Sequence, residues 1–206
     1  MKDNSNKKFW ERIAKGYTFI QEKGNKELYG ALCERIKPLL NENQYVLELA
    51  CGTGQLTAFL ADRVQYWVAT DFSEKMIKEA KKRYNRETVL YEVQDATELS
   101  YENNMFDVIL IANALHIMPE PEKALKEIKR VLKPDGILIA PTFVYEGKIN
   151  KVRLNIMEKV GFKTFYQWTK DEYINFIESN EFYISSNQII YEKPLPECIV
   201  IAKNKV

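Results

Sequence analysis

From Tyr45 onward the chain alternates short apolar runs with amphipathic stretches, and this alternation restricts its fold more than any other feature. The runs Tyr45 to Ala50, Trp67 to Thr70, Val89 to Val93, Val108 to Ala112 and Ile137 to Ala140 are almost wholly apolar, as strands buried on both faces are. Between them lie helical patterns. One falls around Leu56 to Ala61. A second, Glu74 to Tyr84, carries Met76, Ile77, Ala80 and Tyr84, and a third runs from Pro121 to Leu132 with Ala124, Leu125, Ile128, Val131 and Leu132 inward. Strand, helix and strand in repetition predict a mainly parallel sheet covered on both faces, and right-handed crossovers make it doubly wound. The expected architecture is therefore α/β and Rossmann-like. Lys133-Pro134-Asp135-Gly136 reads as the turn that stops the last of these helices and starts the next strand.

The flanks complete the plan. Phe9, Trp10, Ile13, Ala14 and Tyr17, then Leu28, Leu32, Ile36 and Leu39, recur at helical spacing with a break at Gly24-Asn25, which predicts two N-terminal helices as a cap. After Pro141 a helix is expected through Val152, Ile156, Met157 and Val160, ending at Gly161. A second opens with a Thr169 to Glu172 capping box. Phe182 to Tyr191 and Cys198 to Ala202 are joined by a turn with Pro194 and Pro196. That turn is too short for a parallel crossover, so the two strands form an antiparallel hairpin at the sheet edge. The expectation is a seven-stranded sheet in one domain over residues 1–206: a helical cap over 1–40, a ligand-binding core over 41–140, and helices and edge strands over 141–206.

Composition removes several function classes. No apolar run approaches the ~20 residues of a membrane span, and the lysine-rich start has no apolar segment behind it, so a cytoplasmic protein without membrane insertion is expected. Cys33, Cys51 and Cys198 are far apart and His116 is the single histidine, which argues against a disulfide framework or a nitrogen–sulfur metal site. Thirty basic residues against 29 acidic ones leave a net charge of +1. That is too little to hold a polyanion by counterion release, so no nucleic-acid partner is expected.

In an open α/β sheet the ligand lies beyond the carboxyl ends of the strands, where strand order reverses. After the first strand comes Glu48-Leu49-Ala50-Cys51-Gly52-Thr53-Gly54, whose glycines allow close backbone approach to a ligand. The second strand ends at Asp71, where a carboxylate can accept hydrogen bonds from both hydroxyls of a ribose. Asp95-Ala96 follows the third strand and can meet an adenine amino group, while Phe72 and Met76 offer apolar faces to the ring. The sum reads as an adenosine pocket. A dinucleotide-binding turn would want glycine or alanine at position 57, and this chain has the β-branched Thr57.

Val46 to Gly54, Asp71-Phe72-Ser73-Glu74-Lys75-Met76, Gln94-Asp95-Ala96 and Phe106-Asp107-Val108 resemble, in order and spacing, the successive motifs of class I S-adenosylmethionine-dependent methyltransferases. Asn113-Ala114-Leu115-His116, Pro121 to Leu125 and Leu132 to Ile137 are similar to the branch of that superfamily acting on small molecules, including quinone precursors. The resemblance implies S-adenosylmethionine as cofactor, with Tyr17, Glu48, Ala50, Gly52, Thr53, Gly54, Asp71, Phe72, Met76, Asp95, Ala96 and Asn113 around it. It further implies methyl transfer by in-line displacement to a small-molecule acceptor. The aromatic-rich segment after Pro141 leads to the expectation that this acceptor is apolar or aromatic, and a monomer or homodimer is expected. His116 and Tyr17 are the candidates for a catalytic role. Asn113 is not followed by the Pro-Pro-Tyr of enzymes that methylate amino groups of bases or of protein glutamine. A nicotinamide-dependent oxidoreductase and a non-catalytic cofactor-binding module are the alternatives. The aromatic residues Phe143, Tyr145, Phe162, Phe165, Tyr166 and Trp168 are expected to wall the acceptor site or a dimer contact.

Overall fold

The structure, a computed structural model, describes residues 5–145, 163–192 and 195–205. In chain order the elements are α1 (Ser5–Gly24), α2 (Lys26–Ile36), β1 (Tyr45–Leu49), α3 (Gln55–Leu60), β2 (Tyr66–Asp71), α4 (Glu74–Arg83), β3 (Val89–Val93), β4 (Phe106–Ile111), α5 (Pro121–Val131), β5 (Leu132–Phe143), α6 (Lys170–Ser179), β6 (Phe182–Ile190) and β7 (Glu197–Asn204). The seven strands form one sheet in the order β3-β2-β1-β4-β5-β7-β6. The first five are mutually parallel, and β7 runs antiparallel to both β5 and β6.

Alternation along each strand divides the core between the two faces. Leu47, Leu49, Ile109, Ile111, Leu138 and Ala140 pack with Leu125 and Ile128 of α5 and with Tyr173 and Ile177 of α6. Val46, Val108, Leu110 and Ile139 pack on the other side with Leu28, Leu32 and Ile36 of α2, Leu56 and Leu60 of α3, and Ile77 and Ala80 of α4. Both apolar faces are thus covered by helices, the condition under which parallel strands are stable. The helix ends follow their local chemistry. The Ser73 side chain accepts from the Met76 N–H to start α4, and the Thr169 capping box forms in full, with Glu172 reaching back to the Thr169 N–H.

The C-terminal pair is a hairpin as expected, with a refinement: β7 inserts beside β5, and β6 takes the edge. This lets β7 satisfy the β5 edge from Leu138 to Phe143. A second difference concerns residues 133–136. They lie inside β5, where the pairing passes from Phe106↔Leu132 directly to Val108↔Ile137, so the turn chemistry of Pro134 and Gly136 is spent on a bulge. Lys133 Nζ bonds the Asp107 carboxylate across it at 2.7 Å. The helix expected through Val152 to Val160 lies outside the described residues.

Gly136 is required by close approach: a Cβ there would stand 2.6 Å from Leu132 Cδ1 and 2.9 Å from the Asp107 carbonyl oxygen. Gly30, within α2, has nothing within 4 Å of such an atom. Gly136→Ala is expected to lower stability by about 1–3 kcal/mol through overpacking, and Gly30→Ala to raise it by about 0.5–1 kcal/mol through helix propensity. Urea unfolding of the two variants beside wild type checks both signs.

Candidate active site

Strand order reverses between β1 and β4, which lie side by side with Leu49 opposite Ile111. One crossover leaves toward β2 and the other toward β5, and the two departing chains open a crevice. Both leave through left-handed corners at non-glycine residues, Ala50 at φ 54° and Asn113 at φ 53°. Such conformations cost about 1–3 kcal/mol and cluster at ligand sites. The cavity here has a volume of about 600 Å³, within the ~300–1,000 Å³ of small-molecule sites.

Polar groups line this cavity at the ends of β2 and β3. Asp71, the last residue of β2, is buried and accepts from the Gly52 N–H at 3.0 Å and from the Ser73 N–H at 2.9 Å. One carboxylate therefore ties the turn after β1 to the start of α4. Asp95 Oδ1 accepts from the Thr97 N–H and hydroxyl at 3.0 and 2.7 Å, which shapes the chain after β3 as a compact turn. No helix follows it. Gln94 precedes that turn on the wall, its N–H donating to the Asp71 carbonyl at 3.1 Å. Apolar and aromatic side chains line much of the rest: Phe72 and Met76 from the α4 side, Ala112, Ala114, Ile117, Met118 and Pro119 from the chain after β4, and Trp10, Tyr17 and Tyr29 from the N-terminal helices, with Gln55, Thr70, Asn113, Glu120 and Lys123 as further polar groups.

The cap is a sequence expectation that takes specific form. The α1 helix packs against α4, Trp10 meets Tyr17 edge to face at 5.1 Å, and a Cβ on Gly52 would lie 3.8 Å from Tyr17 Cε1. Tyr17 thus stands over the glycine turn. Burial raises the Tyr29 pKa well above its usual value, with Tyr17, Glu197 and Glu48 adding to it, so this phenol stays neutral. Burial does the same to the Cys51 thiol in the turn after β1.

Of the sequence-selected residues, Tyr17, Ala50, Gly52, Asp71, Phe72, Met76, Asp95, Ala96 and Asn113 all meet at this cavity. Glu48, Thr53, Gly54 and His116 lie behind its wall. Glu48 is buried and accepts from the Thr57 hydroxyl and, at 2.9 Å, from the Trp67 indole N–H, which joins β1, α3 and β2. Burial pushes its carboxyl up to about 7. Gly54 has α4 against it, 3.1 Å from a Cβ to the Ala80 Cβ, and the Thr53 hydroxyl accepts from Gln55 Nε2 at 2.8 Å. His116 has its ring 2.9 Å from the Thr142 hydroxyl and edge to face with Phe143, and burial lowers its pKa to about 4.

The aromatic residues after β5 also pack elsewhere. Trp168 stacks on Tyr166 at 4.9 Å and on Phe176 at 4.6 Å, in the layer beneath α6. Phe143, Tyr145, Phe165, Tyr166 and Trp168 do not line the cavity, and Phe162 lies outside the described residues. Sequence reasoning quoted Gln94 only within the Gln94-Asp95-Ala96 motif and passed over Thr97 and Met118-Pro119-Glu120. Their signal was positional, since they follow β3 and β4 at the end of the sheet where the site opens. Among the described residues no helix is long and apolar enough to cross a membrane, and no three His, Cys, Asp or Glu side chains are grouped to hold a metal ion.

Comparison with known proteins agrees with this geometry. A family model described as a methyltransferase domain matches residues 47–140. The ubiquinone/menaquinone biosynthesis C-methyltransferase UbiE of Rickettsia massiliae is 33% identical over 171 residues, covering 75% of this chain and 68% of that protein. The chain belongs to the class I S-adenosylmethionine-dependent methyltransferase family. The demethylmenaquinone methyltransferase of Clavibacter sepedonicus is 36% identical over 122 residues, covering 58% of this chain and 49% of its own length, so the chain spans about half of that relative. A methyltransferase of Haloferax volcanii, solved in complex with the Trm112 activator, superposes with a TM-score of 0.81 at 16% identity, covering 96% of this chain and 98% of that one. That likeness shows the fold alone.

The burial of His116 has a consequence for acid stability. The unfolded chain takes up this proton near pH 6.5 and the folded protein only near pH 4, so protonation favours unfolding. Stability from this residue is complete above about pH 6.5 and falls by up to about 3 kcal/mol as the pH drops to about 4. His116→Gln should unfold with a shallower acid limb, as read from urea midpoints across that range.

Proposed function

We propose that this chain transfers a methyl group from S-adenosylmethionine to a small aromatic acceptor. The observation that carries the reading is one cavity at the β1/β4 reversal that Asp71 and Asp95 line from the ends of β2 and β3, together with the apolar Phe72, Met76, Ile117, Met118 and Pro119. The residues present fit the cofactor. In this reading Asp71, oriented by the Gly52 and Ser73 N–H groups, accepts from ribose hydroxyls. Phe72 and Met76 hold the faces of the purine, and Asp95 and Ala96 meet its edge. Ala50, Gly52 and Asn113 border the methionine half.

When bound, the sulfonium supplies a methyl group already activated toward a nucleophile. The work left to the chain is to hold the acceptor in line and near. Ile117, Met118 and Pro119 provide the apolar surface for this, and Tyr17 closes over Gly52 from the cap, as the side chain we assign to contact with the reactants. His116, 5% exposed and bonded to Thr142, is assigned to the shape of the loop that carries Ile117 and Met118. The Rickettsia massiliae and Clavibacter sepedonicus relatives are named for C-methylation in ubiquinone and menaquinone biosynthesis and for demethylmenaquinone methylation. Their names support a hydroxylated aromatic ring as the acceptor here, and the apolar wall is compatible with it.

The test begins with thermal unfolding in the presence of S-adenosylhomocysteine or NADH. A ligand at about 100 times its Kd adds about 2.7 kcal/mol, and stabilisation by S-adenosylhomocysteine alone is expected, with most of it lost in Asp71→Ala and Asp95→Ala. Transfer of label from methyl-labelled cofactor to an alkyl-substituted hydroquinone then tests the acceptor. Stabilisation by NADH alone would replace the reading with an oxidoreductase, and binding without transfer to any of a panel of phenols and hydroquinones would make the chain a cofactor-binding module.

A further inference from the structure

Behind the cavity wall lies a buried carboxyl that the steps above leave unused. Glu197, the first residue of β7, is 0% exposed and is held between Phe143 of β5 and Ile190 of β6 by strand pairing. Its Oε1 accepts from Asn113 Nδ2 at 2.7 Å. Asn113 is the left-handed corner after β4, it lines the cavity, and its own N–H donates to the Pro141 carbonyl at 2.8 Å. Two oxygens of this pair are buried without a hydrogen-bond partner, Glu197 Oε2 and Asn113 Oδ1.

Buried acceptors without donors are costly, and native structures seldom keep two together. A carboxylate has only acceptors to offer. A carboxylic acid has one O–H donor and one acceptor, and a primary amide beside it has the complementary set. With Nδ2 donating to Oε1, a single proton on Oε2 gives the other half of a two-bond acid–amide pair by donating to Oδ1. Both orphaned oxygens are then satisfied.

We infer that Glu197 is a positioning residue of the transfer site, carried as the neutral acid, which grips the Asn113 side chain through two hydrogen bonds and so fixes the corner where β4 delivers the cavity wall. Burial favours the same protonation state, raising the Glu197 carboxyl to about 8, against which the Asn113 hydrogen bond pulls downward. Tyr29 from α2, Tyr173 from α6 and the neighbouring Cys198 share its field. All three have their pKa values raised by burial and stay neutral through that range. Loss of the proton strands a charge behind the wall, breaks the second bond and frees the amide to turn. The effect on ligands rests on the methyltransferase reading, while the protonation state does not.

Two measurements on the full chain separate those levels. In infrared difference spectra at about pH 7, wild type minus Glu197→Gln should show the C=O stretch of a buried protonated carboxyl, without any ligand. In titrations with S-adenosylhomocysteine, wild-type affinity should fall about tenfold between about pH 7 and pH 9, as the competent fraction falls. Glu197→Gln, whose amide can make both bonds with no proton to lose, should bind like wild type at pH 7 and hold that affinity to pH 9. Absence of the infrared band overturns the inference, as does a variant whose affinity declines with pH in parallel with wild type. If wild type shows the band and binds no S-adenosylhomocysteine at any pH, the acid–amide pair stands and the functional reading falls.

Discussion

The reversal of strand order between β1 and β4 is the constraint from which the rest of the structure follows. Parallel strands need crossovers, crossovers of one hand need helices on both faces, and two helices leaving in opposite directions from adjacent strands necessarily part at the sheet's carboxyl end. The chain meets this requirement with left-handed corners at Ala50 and Asn113. Each corner is held by hydrogen bonds from elsewhere in the sheet. The Cys51 N–H donates to the Thr70 carbonyl at 2.8 Å, and the Asn113 N–H to that of Pro141. The strain is thus supported by neighbouring strands, and the cavity is a product of topology before any side chain lines it.

Acidic residues around this opening are used in two ways. Asp71 faces the cavity and is oriented by backbone N–H groups, which suits a carboxylate that must remain an acceptor. Glu48 and Glu197 face the packed interior, where burial raises both pKa values. Glu48 ties three elements together through Thr57 and Trp67, and Glu197 meets Asn113 from behind. The cavity wall is therefore backed by a layer of polar contacts within an otherwise apolar sheet. These contacts set where the corner residues sit.

Much of the fold was legible in the sequence because it follows from periodicity. Buried strands read as unbroken apolar runs, and the helices of α4 and α5 declare their inner faces at helical spacing. The Thr169 capping box was readable for a local reason, as its partners lie three residues apart. The Lys133 to Gly136 segment misled because Pro and Gly look alike in a turn and in a bulge. Only the pairing of Phe106 with Leu132 and of Val108 with Ile137 distinguishes them. The position of β7 between β5 and β6 was hidden too, since a hairpin specifies its own pairing and says nothing of which strand joins the sheet.

For the site, the sequence by itself determined that a Gly-rich turn, an acid at the end of β2 and another after β3 come together at one end of a parallel sheet, since strand direction and alternation place them there. It determined neither which side of each strand end a residue faces nor what meets it from afar. Tertiary packing put Ala50, Gly52, Asp71, Asp95 and Asn113 on the cavity and Glu48, Thr53, Gly54 and His116 behind it. It also brought Glu197 to Asn113 across 84 positions of chain. The physical reason is range: hydrophobic period and turn chemistry are local properties of the chain, whereas a side chain's partner, burial and protonation depend on strands that meet only when the sheet is assembled.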